Sequence, residues 1–259
     1  MPFTLAHAAA ALPFRRTRLI MSAVVVGCFA PDFEYFLPFG HHGSFGHTLT
    51  GMFAFDLPLG LAMLWLFHRY AKEPLAACLP EGARERLHLG PPTLSINSIS
   101  SLALTVFSIL VGIATHFFWD AFTHPRYWIY DHLHFLSKTV ALPLFGPRPW
   151  YGILQYISSV FGMVVVLLWC IRWYRNTPPV HSKLDQHFLT NDRIALAGAL
   201  LIAVVSAFVR AAASGIPHGV RGSQRFMSDM VVTWMAILWI EIVVYGIVRD
   251  LRRNTVKTA

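Results

Sequence analysis

Charge is scarce in this sequence: Asp, Glu, Lys and Arg make up 13% of its 259 residues, where a soluble domain carries about 25%. With 55% of the chain apolar, an ordinary water-facing surface is excluded and lipid becomes the expected solvent. Cysteine is nearly absent too. Cys28, Cys78 and Cys170 are odd in number, far apart and form no C-x-x-C pair, which excludes a disulfide framework and a thiolate zinc site. There is no glycine-rich nucleotide-binding motif and no G-x-S-x-G elbow, so neither a nucleotide cradle nor a serine nucleophile is offered. The apolar segment 3 to 14 has no basic residues before it and is too short to span a bilayer, so it does not read as a cleaved signal peptide.

What the chain has is long apolar runs. Six of them, near 18 to 38, 48 to 68, 99 to 123, 152 to 173, 193 to 212 and 229 to 248, are long enough to cross about 30 Å of hydrocarbon as helices. The expected fold is an all-α polytopic membrane bundle of about six transmembrane helices with a short N-terminal re-entrant or interfacial helix. It is one integral domain over 1–259, with the metal-site half in 1–151 and supporting helices in 152–259. The net charge of +8 follows from topology. Threaded through six spans, fifteen of the 21 Lys and Arg residues fall on one side, which the positive-inside rule places in the cytoplasm together with the C-terminus. No nucleic-acid partner is needed to explain the basic balance.

The most specific chemistry lies at the end of the third run, where His116, Asp120 and His124 recur every fourth residue. On a helix these share one face, with neighbouring Cβ atoms about 5 to 6 Å apart, close enough for a shared metal ion. His124, just before Pro125, also suits the negative end of the helix dipole. Pro31 disfavours helix at the residue before it and presents Asp32 from a bend, with Glu34 as a competing carboxylate or an interfacial charge. His41, His42 and His47 stand in a glycine-rich loop opening the second span, facing the same leaflet as Asp32, His116 and Asp120. Asp56, inside the second span, needs a partner, either a ligating histidine or another helix. The aromatic loop 124 to 151 offers an interfacial belt, or a lid in which Arg126 and Arg148 bind an anionic group such as phosphate. His7 is eight residues before Arg15, about 12 Å of α-helix, and joins these groups only if segment 3 to 14 turns back into the membrane.

In order and spacing, His7, the Ala30-Pro31-Asp32 bend, the loop ending His47-Thr48 and His116-x-x-x-Asp120 resemble a family of bacterial inner-membrane proteins. These are metal-dependent hydrolases of the LexA-regulated type and their membrane relatives. The loop here departs from that pattern by one extra residue and by lacking its arginine, which bears on His41 and His42. The same motifs look more distantly like zinc-dependent phospholipase C and related nucleases. That likeness implies one zinc held by Asp32, His47, His116 and Asp120, and a second by His7 and Asp120, with other divalent metals as alternatives. It implies Asp32 and Asp120 at the catalytic centre, with His41, His42, Asp56 and His124 as additional ligands or supports. The expected function is hydrolysis of a lipid phosphoester or ester at the outer leaflet of the inner membrane, lipid being both solvent and substrate. The alternatives are a metal-ion transporter or channel, whose ionisable groups would continue across the bilayer, and a scaffold with a structural metal site.

Overall fold

The computed structural model describes residues 3–37, 45–87, 89, 97–125, 127–142, 146–180, 186–213, 215 and 219–258. The chain is helical, as expected. A 3₁₀ helix over Thr4–Arg16 leads into α1 (Met21–Phe29) and a 3₁₀ turn at Ala30–Asp32, and then come α2 (Leu49–Cys78) and α3 (Ile99–Asp120). A short α4 (Trp128–His132) and a hairpin of β1 (Thr139–Leu142) and β2 (Gly146–Pro149) precede α5 (Trp150–Asn176), α6 (Gln186–Ala213) and α7 (Gly219–Thr258). The hairpin pairs Thr139 with Pro149 and Leu142 with Gly146, inside the region read from sequence as an aromatic loop.

Five helices are long and apolar enough to cross a membrane: α2, α3, α5, and the stretches Thr190–Ala213 of α6 and Arg225–Arg253 of α7. The chain is thus a multi-pass membrane protein. The first of the six expected runs is built differently. Its α1 has nine residues and stops where Pro31 enters, and the 3₁₀ turn carries Asp32 away from the helix line.

Local chemistry accounts for the helix boundaries. Ser98 and Ser101 form a reciprocal capping box that starts α3, each side chain bonded to the other's backbone N–H at 3.2 and 3.1 Å. Thr48 caps α2 by accepting from Gly51 N at 2.9 Å. Within α2 two π-helical segments, Met52–Asp56 and Phe67–Ala71, precede Pro58 and Pro74. A proline ring crowds the carbonyl four residues back, here Ala54 and Tyr70, and the wider π turn makes room for it.

The described chain divides into two compact units. The first comprises Met1–Glu34, His41–Leu64 and Ser95–Asn176, and the second Tyr35–Gly40, Trp65–Leu94 and Thr177–Ala259. In the first, α1 and α3 pack backbone to backbone. A Cβ on Gly27 would overlap the Ile109 carbonyl, and one on Gly112 would overlap the Val24 carbonyl. Helices gain little from the hydrophobic effect in lipid, so such close contact between small residues carries the packing. Polar bonds reinforce it, with Ile20 N donating to Ser108 Oγ at 3.1 Å. In the second unit, Ala71, Leu196 and Ile242 form a buried cluster with Phe67, Leu75, Leu238 and Trp239 against it.

Candidate metal centre

Each side chain of the centre is delivered by one of these local features. His116 and Asp120 occupy successive turns at the end of α3 and are 0% and 1% exposed. The Gly27–Gly112 approach sets the Cys28 carbonyl 2.8 Å from His116 Nδ1. A carbonyl only accepts, so Nδ1 carries a proton and Nε2 is the ring nitrogen turned toward the centre. Asp32 arrives from the 3₁₀ turn, buried, with its Oδ2 accepting from Thr4 Oγ1 at 2.7 Å. His47 stands just before the α2 cap, on a turn that Glu34 organises: Oε2 of Glu34 accepts from the backbone N–H of Phe45 and of Gly46, both at 3.0 Å.

Four donor atoms converge. His47 Nε2 lies 3.4 Å from His116 Nε2, 3.5 Å from Asp120 Oδ2 and 3.8 Å from Asp32 Oδ1. His116 Nε2 lies 3.4 Å from Asp120 Oδ2 and 3.8 Å from Asp32 Oδ1. Hydrogen bonds between such groups would be about 2.7 to 3.2 Å long. Ligands placed tetrahedrally at about 2.0 to 2.1 Å from a zinc ion would be about 3.3 to 3.4 Å apart. The three separations among His47, His116 and Asp120 are close to this spacing and the two to Asp32, at 3.8 Å, are wider, so the set leaves room for an ion where direct bonds would be shorter. Asp32 Oδ1 and Asp120 Oδ2 are buried without a hydrogen-bond partner, which is costly for carboxylate oxygens unless a cation meets them.

His7 reaches this centre. Its ring stacks on His116 with centroids 4.1 Å apart, and its Nε2 lies 3.6 Å from Asp120 Oδ1, the oxygen facing away from His47. A 3₁₀ helix rises about 2.0 Å per residue instead of 1.5 Å, so the eight residues between His7 and Arg15 cover about 16 Å, further than the α-helix expected from sequence. Both ring nitrogens of His7 are buried without hydrogen-bond partners. Burial pushes its imidazole down to about 3, so it stays neutral, the form that binds metal. Two overlapping groups can thus hold a metal ion: Asp32, His47 and His116, and His7, His116 and Asp120.

The other expected residues are placed less uniformly. α3 ends at Asp120, earlier than the sequence suggested, and His124 follows in a turn where the N–H groups of Thr123 and His124 both bond to the Asp120 carbonyl at 3.0 Å. His124 Nδ1 still lies 3.4 Å from Asp120 Oδ2, and its side chain, 17% exposed, is the most open of the cluster. Asp56 is buried in the first π segment of α2, and neither of its carboxylate oxygens has a hydrogen-bond partner. Arg148 sits on β2 opposite Val140. His41, His42 and Arg126 lie outside the described residues. Sequence reasoning missed Thr4 and the loop-holding part played by Glu34. Thr4 precedes His7 by three residues, and in a 3₁₀ helix i and i+3 eclipse, which is the signal that could have found it.

No curated protein and no solved structure matches this chain. A family model described as "Domain of unknown function (DUF4184)" matches residues 1–247, a stretch that includes every residue of the buried cluster. The chain belongs to that family.

Proposed function

We propose that this protein is a membrane-embedded, metal-dependent hydrolase acting on a lipid phosphoester or ester, with zinc as the resident metal. The observation that carries the reading is the set of five donor separations, 3.4 to 3.8 Å, among Asp32, His47, His116 and Asp120. Bound by such groups, a divalent ion acts as a Lewis acid and lowers the pKa of a coordinated water to about 7. The protein's own part is positional. The Cys28 carbonyl fixes the His116 tautomer, and burial of the cluster excludes bulk water. The Asp120 carboxylate offers Oδ2 to the four-donor position and Oδ1 to His7.

The two positions differ in completeness. In this reading Asp32, His47, His116 and Asp120 Oδ2 are assigned to the first, a full set as in structural zinc sites, whereas His7 and Asp120 Oδ1 leave the second short of protein donors, as in catalytic ones. We place the reacting group of the substrate at this second position. With five spans, Arg15, Arg16 and Arg18 change sides and twelve of the 21 Lys and Arg residues remain on the side of the C-terminus, a smaller bias that still favours a cytoplasmic C-terminus and a centre toward the outer leaflet of a bacterial inner membrane.

The test is the metal content of the purified protein, together with hydrolysis of phospholipid and acyl-ester substrates in mixed micelles. Wild type should carry one or two equivalents of zinc and hydrolyse one of these substrate classes. Asp120→Asn and His116→Ala should lose both properties. Full metal occupancy in these two variants would sink the centre, whereas a wild type that binds zinc but cleaves neither class would redirect the reading to transport or to a structural metal.

A further inference from the structure

We infer that Thr4 is a positioning residue of the metal centre, one that decides which oxygen of Asp32 faces the ion. The inference rests on the metal-binding reading above, not on the identity of the substrate. The two oxygens of Asp32 have divided roles. Oδ2 accepts the Thr4 hydroxyl at 2.7 Å, in a contact buried on both sides. Oδ1 has no hydrogen-bond partner and stands 3.8 Å from the Nε2 atoms of both His47 and His116. A hydroxyl that engages one oxygen holds the carboxylate plane and leaves the other free for one-point ligation. Without it both oxygens are equivalent, and the carboxylate can turn or bind through both.

Thr4 is itself held in register. Phe3 N donates to Ser159 Oγ of α5 at 2.9 Å. Two residues on, Ala6 lies against Gly162, where a Cβ would overlap the Ala6 carbonyl. The N-terminal 3₁₀ helix therefore carries two neighbouring contributions to the centre, the Thr4 hydroxyl and, one 3₁₀ turn later, the His7 imidazole. Three-residue spacing puts them on the same side of the helix. Partners that orient metal-ligating carboxylates and histidines typically change metal affinity 10- to 100-fold when removed.

The experiment compares detergent-solubilised wild type, Thr4→Ser and Thr4→Val. Zinc affinity is measured by competition with a chromophoric chelator, and thermal unfolding of the metal-free proteins is measured alongside. Thr4→Val should bind zinc about 10- to 100-fold more weakly, while Thr4→Ser, which keeps the hydroxyl, should bind within a few-fold of wild type. Loaded with cobalt, the serine variant should keep the wild-type visible spectrum and the valine variant should not. Thr4→Ala removes the hydroxyl without adding bulk and carries the same expectation if the valine variant does not fold. Valine or alanine binding as tightly as wild type, or serine binding as weakly as valine, would overturn the role of Thr4. A wild type with no zinc affinity would overturn instead the metal centre beneath it.

Discussion

Two polar clusters, one in each unit, contain buried acids and are spaced differently. In the second unit carboxylates meet guanidinium groups directly. Glu73 Oε2 accepts from Arg249 and Arg253 at 2.6 Å each, Asp192 Oδ1 lies 3.0 Å from Arg249 Nε and accepts from Tyr245 at 2.6 Å, and Asp250 pairs with Arg69. In the first unit carboxylates meet imidazoles at 3.4 to 3.8 Å; buried carboxylate oxygens without a hydrogen-bond partner occur in both clusters, at Asp32 Oδ1, Asp120 Oδ2 and Asp192 Oδ2. A network that carries its own cations closes to hydrogen-bond distance. A network that stands one ion diameter open has room for a metal ion, as the proposed function requires. The contrast separates a structural salt-bridge cluster from a ligand site more sharply than residue type does, since both clusters contain buried acids.

The largest effect that would sharpen this contrast is expected in the second unit. Arg249→Met leaves half-buried Glu73 its pair with Arg253 but strips the fully buried Asp192 carboxylate of its arginine, so stability should fall by about 3–5 kcal/mol while zinc content stays at the wild-type level. Thermal unfolding and metal analysis on one preparation check both halves of the expectation. A loss of zinc in this variant would break the separation between the clusters. Next in size is the response to metal itself. Zinc at about 100 times its dissociation constant should raise stability by about 2.7 kcal/mol, and a chelator should remove that gain from wild type and from Arg249→Met alike. Asp120→Asn, which lacks the shared ligand, should show no response to either. Equal zinc responses in wild type and Asp120→Asn would mean that the open spacing holds no ion.

The cluster of the first unit was more legible in the sequence than that of the second. His116 and Asp120 declare themselves by their four-residue spacing, and Asp32 by the proline before it. His47 is marked by its place ahead of the Thr48 cap. Each is a local pattern, and the structure brings all four together. Whether His7 arrives depends on Thr4–Arg16 being 3₁₀ rather than α, and hydrophobic periodicity does not distinguish the two over so short an Ala-rich segment. Pairings such as Arg69 with Asp250 and Glu73 with Arg253 join residues 181 and 180 positions apart. No local period encodes them, and from sequence these arginines registered only as charge on one side of the membrane. The first apolar run counted as a span for the opposite reason. Its composition suited a crossing, but Pro31 divides it into a short helix and a turn.

The smallest expected effect uses two glycines, one in each unit, that make the same kind of contact. A Cβ at Gly112 would overlap the Val24 carbonyl, and a Cβ at Gly246 would overlap the Tyr70 carbonyl. In both places the obstacle is backbone, so relief requires the helices to move apart, and overpacking of this kind costs about 1–3 kcal/mol. Gly112→Ala and Gly246→Ala should therefore lower thermal stability by comparable amounts. Only the first should also weaken zinc binding. Moving α1 from α3 stretches the 2.8 Å bond between the Cys28 carbonyl and His116 Nδ1, and an imidazole freed to change tautomer loses about 10- to 100-fold in metal affinity, although Gly112 is no ligand. Because the stability loss is matched, a selective loss of affinity in Gly112→Ala would trace the geometry of the centre to backbone contact between α1 and α3. Equal zinc affinity in the two variants would show that the centre tolerates a shift of α1, and that the His116 tautomer is held by something other than the Cys28 carbonyl.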